Sequence, residues 1–279
     1  MASSEMMIAI IAGFLQGIFE WLPISSEGNI TAILTVLGSS PGAAVRFSLF
    51  LHIGTALAAL TYYRPTLIEI LSIVPQWRPD SAFTRPLARL SFLGLATVSS
   101  GGVALIAFSV LEAVVSQVAG GLLVAVIGVL LVVTGLFELR TRSVRHGQNE
   151  LPPGSEKIPT PQDAVLIGIL QGLAILPGIS RSGTTVGGLL LRGYSGYQSF
   201  QLSFILSIPA SIGAGLLVLL GNEGIILTSI ESAFVAIVVS AGVGYLSIDL
   251  LMKIVRRVSF GIVCLAIGLI AIAGGVLLL

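Results

Sequence analysis

Apolar residues run through most of this chain, and the few polar interruptions divide it. Residues 5–20 form an apolar segment that halts at Trp21-Leu-Pro23, and residues 28–37 form another, closed by Gly38-Ser-Ser-Pro-Gly42. At ~1.5 Å rise per residue, neither crosses a hydrocarbon core about 30 Å thick. Together they predict a hairpin that enters a membrane and turns back. Full-length apolar spans follow at 44–63, 88–110 and 118–139. The stretch from Arg140 to Asp163, with Pro152-Pro-Gly154 and Pro159-Thr-Pro161, is too polar for lipid and reads as a linker. A second short pair at 163–175 and 181–192 precedes spans at 198–220, 231–252 and 258–278.

The two halves repeat. Gln16-Gly17 matches Gln171-Gly172, and at the same offset Ser25 matches Ser180, Gly28 matches Gly183, Ser48 matches Ser203 and Ile53 matches Ile208. Each unit is a short hairpin followed by three spans, and three crossings invert the second unit relative to the first. The expected fold is an all-α polytopic membrane protein of two inverted-topology repeats, each a re-entrant hairpin plus three transmembrane helices. One membrane domain then covers 1–279, with repeat 1 over about 1–139, the linker over 140–162 and repeat 2 over about 163–279.

Charge supports this topology. Arg64, Arg78, Arg85 and Arg89 share one loop, and Arg140, Arg142, Arg145 and Lys157 occupy the linker. Arg192 follows the second hairpin, and Lys253, Arg256 and Arg257 separate the last two spans. The loops near 111–117 and 221–230 hold Glu112 and Glu223 but no Lys or Arg. With re-entrant hairpins every basic loop lies on the cytoplasmic side, as the positive-inside rule requires. The first hairpin then enters from outside and the second from the cytoplasm.

Composition agrees with a membrane protein: 55% of residues are hydrophobic and 10% charged, against roughly 25% charged in soluble domains. A net charge of +1 provides no basic field for nucleic acid. The single cysteine, Cys264, reads as a packing residue, and the start of the chain has no basic n-region of a signal peptide. Tyr62, Tyr63, Trp21 and Trp77 fall near span ends and suggest an interfacial belt.

Inverted repeats with broken helices place a binding site near the bilayer midplane. Glu20 and Glu27 lie at the first hairpin and Arg181 at the tip of the second. Ionisable groups at membrane depth cost about 2.5–3.5 kcal/mol on insertion scales and mark functional sites. A salt bridge from Arg181 to Glu20 or Glu27, locking the hairpins together, is the plainer reading. It leaves the hydroxyls of Ser25, Ser26, Ser180 and Ser182 unexplained. A glycine-flanked turn opening a helix presents free N–H groups to an anion, and an arginine adds a fork suited to phosphate oxygens. Ser25, Asn29, Ser180, Ser182, Gly183 and Thr184 are therefore candidate phosphate contacts. Serines also cap helices routinely. Gln16 and Glu20 share a helix face, and carboxylates beside a phosphate cradle suggest a divalent cation, Mg²⁺ or Ca²⁺, near Glu20 and Gln16. His52, in an apolar span, is either hydrogen-bonded structure or part of the cavity, while His146 belongs to the linker.

The motifs Glu20-Trp-Leu-Pro-Ile-Ser-Ser-Glu-Gly28 and Pro177-Gly-Ile-Ser-Arg-Ser-Gly183 resemble those of the undecaprenyl-diphosphate phosphatase family, the bacitracin-resistance membrane phosphatases. Span order and Arg256-Arg257-Val-Ser-Phe260 extend the resemblance over nearly the whole chain. It implies hydrolysis of a polyprenyl diphosphate to the monophosphate with a divalent cation, at a site open to the outer face of the plasma membrane. It implies a metal- or catalysis-linked Glu20, a nucleophilic or phosphate-binding Ser26 and a clamping Arg181. This chain departs from the family pattern at Gln16, usually glutamate, and at Asn29, usually histidine. Glu27 stands where a small hydroxyl residue is more common, and Glu27 or His52 could supply the proton transfer that asparagine cannot. Expected partners are the polyprenyl diphosphate and membrane lipids, with a homodimer left open. The rival reading is a polyprenyl-phosphate flippase without hydrolysis.

Overall fold

The computed structural model describes residues 2–147, 156–221 and 229–279. Pro152–Gly154 and Glu223, and the side chains of Arg142, Arg145, His146, Arg256 and Arg257, lie outside the described residues. The described residues form eleven α-helices and no strand. The first half holds α1 (Ala2–Phe19), α2 (Ser26–Val36), α3 (Pro41–Tyr62), α4 (Arg64–Ser72), α5 (Ala88–Val115) and α6 (Gly120–Gly147). The second holds α7 (Pro161–Leu173), α8 (Arg181–Leu191), α9 (Gly196–Leu220), α10 (Ile230–Arg257) and α11 (Phe260–Leu277).

Six of these, α3, α5, α6, α9, α10 and α11, are long and apolar enough to cross a membrane, and they coincide with the six expected spans. The chain is a multi-pass membrane protein. Helix α4, inside the Arg-rich loop, was not expected. It begins at Arg64-Pro65, where the proline suits a first helical turn.

The halves pack by exchange. Helix α1 lies along α10 of the other half and α7 along α5, while α3 pairs with α9 and α6 with α11. In lipid, helices gain little from hydrophobic burial against one another, so close packing and hydrogen bonds must hold them. Glycines permit that closeness. A Cβ at Gly121, Gly128 or Gly135 of α6 would meet the carbonyl oxygens of Gly275, Gly268 and Gly261 of α11 at 2.6, 2.6 and 2.7 Å. These glycines recur every seven residues on both helices and form an antiparallel backbone seam. Gly13 and Gly17 bring α1 onto α10 in the same way, and Gly168 and Gly172 bring α7 onto α5.

The central α3–α9 pair is the most enclosed of the spans. Trp21 belongs to this core and not to an interfacial belt: it is 1% exposed, packs on Phe204 and donates from Nε1 to Gly244 O at 3.0 Å. The turn carrying it is tucked into the protein, so a tryptophan at a helix end here is not at a membrane surface. Cys264 is also buried, its thiol directed at Pro23 O.

Candidate active site

The two helix pairs α1–α2 and α7–α8 meet at their turns. Ser25, the N-cap of α2, is the only non-glycine among the described residues with positive φ, at 60°. Its Oγ accepts from Gly28 N at 3.2 Å and, across the interface, from Gly178 N at 3.0 Å. Gly178 itself sits at φ +105°, a conformation glycine adopts without strain. The turns touch so closely that a Cβ on Gly28 would lie 2.5 Å from Gly178 N. From behind, Thr134 of α6 donates to Gly178 O and accepts from Ser180 N, pinning the second turn.

This contact brings Arg181 to Glu20. Arg181 Nη2 donates to Glu20 Oε1, so the hairpins are ion-paired across the molecule. The other oxygen, Glu20 Oε2, accepts from Gln16 Nε2 at 2.9 Å and from Ser26 Oγ at 2.8 Å, and lies 3.4 Å from His52 Nε2. His52 Nδ1 faces Ser48 O at 2.9 Å. That carbonyl can only accept, so Nδ1 carries hydrogen and Nε2 is the nitrogen turned to the carboxylate. Glu20 is thus a buried carboxylate held by cationic and neutral donors, the condition under which a buried charge is tolerated.

Three polar atoms in and beside this cluster are buried without a partner: Gln16 Oε1, Glu27 Oε1 and Arg181 Nη1. Glu27 and Arg181 line a polar chamber of about 20 Å³ with Glu20, Ser26, His52 and Ser182 on its wall. Glu27, His52 and Arg181 also border a second cavity of about 290 Å³ between α3, α5, α7 and α9. Its wall is mostly apolar, with Leu49, Ala104, Leu105, Ile175 and Leu217. Gly101 and Gly213 also line it, and a Cβ on either would meet nothing within 4 Å. A charged chamber therefore adjoins an oily one.

Of the residues picked from sequence, Glu20, Ser25, Ser26, Glu27, His52, Ser180, Arg181 and Ser182 line the chamber. Gln16, Asn29, Gly183 and Thr184 do not. Asn29 Nδ2 turns inward and donates to Ile24 O at 2.6 Å and Ser25 O at 2.9 Å, fixing the turn. Gly183 N donates to the Ser180 Oγ cap at 3.1 Å, and Thr184 Oγ1 donates to Ser180 O at 2.9 Å. Ser182 Oγ reaches Leu22 O at 3.1 Å and ties the turns together again. Sequence reading passed over Gln171, whose amide donates to Ser100 Oγ and Leu206 O and which lines the oily cavity. It also passed over Glu138, 5% exposed on α6, with its Oε1 3.0 Å from where a Gly183 Cβ would stand. A buried acid near the end of an apolar span was the available signal for Glu138.

A hard cation would meet two free oxygens here, Glu27 Oε1 and Gln16 Oε1, although among the described residues no three His, Cys, Asp or Glu side chains gather as a metal centre. Mg²⁺ takes one or two carboxylates and completes its shell with phosphate oxygens and water, and the unpartnered Glu27 Oε1 is such an oxygen. Both Glu20 oxygens are already engaged, whereas Gln16 directs its Nε2 donor to Glu20 and keeps its Oε1 buried without a partner.

Residues 9–270 match the model of a family described as bacitracin resistance protein BacA. A protein named undecaprenyl-diphosphatase from Haloarcula marismortui is 47% identical over 98% of both chains. Proteins of the same name from Methanococcoides burtonii and Methanopyrus kandleri are 36% and 37% identical, over 95% and 98% of this chain and 96% and 97% of theirs.

Proposed function

This chain belongs to the bacitracin-resistance BacA family, and from that premise we propose that the joined chambers bind and hydrolyse undecaprenyl diphosphate. The protein is a membrane phosphatase that recycles this lipid carrier, releasing the monophosphate and inorganic phosphate. One observation carries the reading: Arg181, Glu27 and His52 stand on the wall shared by the polar chamber and the apolar cavity. A lipid diphosphate has this polarity, a compact anion joined to an apolar tail. The tail enters between α3, α5, α7 and α9, and the diphosphate reaches Arg181. The unpartnered Nη1 of Arg181 takes a phosphoryl oxygen while Nη2 keeps Glu20, so one guanidinium bridges enzyme and substrate.

Ser26 Oγ attacks the terminal phosphorus and passes its proton to Glu20 Oε2, the oxygen it already faces. The bond from phosphorus to the bridging oxygen breaks, and the lipid monophosphate leaves with that oxygen. Water then cleaves the phosphoserine, returning hydrogen to Oγ and releasing inorganic phosphate. His52 Nε2 stands at the same Glu20 oxygen, and Asn29 shapes the turn. A Mg²⁺ or Ca²⁺ ion held by Glu27 would neutralise charge on the phosphoryl oxygens when bound. The basic loops face the cytoplasm, and the site opens to the outer side of the plasma membrane.

Purified protein assayed with a polyprenyl diphosphate and Mg²⁺ or Ca²⁺ should release phosphate. Arg181→Ala and Glu20→Ala should each lower that release at least ~10²-fold, the scale of a lost charge-stabilising donor. Absence of release under either cation would sink the hydrolase reading. Headgroup movement across proteoliposomes without hydrolysis would replace it with the flippase.

A further inference from the structure

A different cavity, of about 260 Å³, lies where the start of α5, the start of α9, α4 and the end of the linker converge. It is distinct from the reaction site. Arg89 precedes Ser100 on α5 by eleven residues, and Gln198 precedes Pro209 on α9 by the same number. At 1.5 Å per residue the two cavities are separated by about 16 Å along both helices. The space far exceeds the ~30 Å³ that one water occupies in the liquid. Its wall is tied by hydrogen bonds: Gln198 Nε2 donates to Lys157 O at 2.6 Å, and Arg85 Nη2 donates to Glu156 O at 2.8 Å, strapping the linker to α9 and to the segment that leads into α5. Lys157 turns its amine away, to Arg192 O, Asp163 and the Tyr194 ring.

Arg89 is the lining cation with donors to offer. Its Nε and Nη2 are buried and have no hydrogen-bond partner. These two nitrogens lie on one edge of the guanidinium, the edge that grips two oxygens of a phosphate in parallel hydrogen bonds. Glu69 and Glu156 offset the guanidinium charge, but the two buried N–H donors stay unmade, which is costly, so the arrangement calls for acceptor oxygens such as those of an anion. Gln198, 6% exposed, also has an unpartnered oxygen, Oε1, and Glu69 and Glu156 stand on the same wall. Those oxygens call for hydrogen-bond donors beside the anion. From the buried fork and the acceptors around it, we infer that this cavity is a second phosphate site. It would take a phosphate carrying neighbouring hydroxyl or ammonium donors, as in a phospholipid headgroup, or a protonated free phosphate ion.

The test uses full-length Arg181→Ala protein in detergent, which removes the clamp at the reaction site. Calorimetric titrations with inorganic phosphate, and with short-chain phosphatidylglycerol in mixed micelles, should show saturable binding of at least one. Adding Arg89→Gln should weaken that binding at least tenfold. Gln201→Glu, which puts a negative charge on the cavity wall with the arginine intact, should weaken it as well. Binding of the lipid alone identifies a headgroup site, and binding of phosphate alone a free-ion site. If neither ligand binds, or if both variants bind as tightly as their parent, the inference fails.

Discussion

Replacing Gly28 by alanine tests the contact on which the whole site depends. Gly28 is in the first turn of α2 and has an ordinary helical backbone, so alanine is conformationally acceptable and would by itself favour the helix by about 0.5–1 kcal/mol. The obstacle is space alone: the new Cβ would lie 2.5 Å from Gly178 N and 2.9 Å from Gly178 Cα. Carbon contacts are comfortable at 3.5–4.0 Å, so the two turns must part by about 1 Å. Overpacking of this kind costs about 1–3 kcal/mol, leaving a net destabilisation of up to about 2.5 kcal/mol after the helix gain. The larger effect falls on chemistry. Glu20 and Ser26 ride on one turn and Arg181 on the other, and a misplacement of about 1 Å can lower rate 10²-fold. Phosphate release from the lipid diphosphate should therefore fall about 10²-fold, while thermal unfolding in detergent shows a folded protein. Gly102→Ala, whose Cβ would meet nothing within 4 Å, is the control and should retain full activity. If Gly28→Ala, correctly folded, hydrolyses within about threefold of wild type, close apposition of the turns is not what assembles the site.

The α6–α11 seam makes a stability prediction. Gly128→Ala, with a Cβ 2.6 Å from Gly268 O and 2.7 Å from Ile272 N, should lose about 1–3 kcal/mol, whereas Gly274→Ala, facing open space, should be neutral or stabilising. Equal unfolding midpoints for the two would refute the seam. Asp163 makes a pH prediction. Its burial alone would raise the carboxyl, but hydrogen bonds from Tyr194 and Arg192 and the charge of Lys157 outweigh that and hold it at about 2, below the ordinary 3.8. A carboxyl depressed on folding stabilises above its unfolded value and loses that contribution as pH falls through its folded value. The stability gap between wild type and Asp163→Asn should therefore be full above about pH 4 and shrink toward pH 2, by about 2 kcal/mol for a shift near two units. A gap unchanged across that range would remove Asp163 as a stabilising charge.

Much of this was readable in the chain because it follows from periodicity. The apolar runs located every span to within a few residues, and the matched motifs around Ser25 and Ser180 marked the two turns that meet. A salt bridge from Arg181 to Glu20 or Glu27 was readable from the cost of such charges in an apolar chain, and the structure pairs Arg181 with Glu20. Other features depend on three-dimensional closeness that a linear pattern does not carry. Asn29 sits in a motif that suggests phosphate contact, yet its amide is occupied by the backbone of its own turn. The large cavity is defined by what is missing: Gly101, Ala104 and Gly213 leave room only because their helices are held apart. Trp21 near a helix end looked interfacial because sequence does not say whether a turn points to lipid or into the protein. Arg89 was counted as one of several loop charges, and nothing in its neighbours announced a buried guanidinium.

Ser25 also bears on how the site comes into being. An L-residue in the left-handed region costs roughly 1–2 kcal/mol, and at Ser25 that strain is offset in part by a hydrogen bond from Gly178, in the opposite half of the chain. The first turn thus has its full set of partners only after the second has been synthesised. A ribosome that has released α1 through α6 has made Glu20, Ser26 and His52 without the backbone that holds them in order. Each half acts as a mould for the other's turn. The reactive arrangement is consequently a late event in biogenesis, and its presence certifies that the second turn has been made and has joined the first.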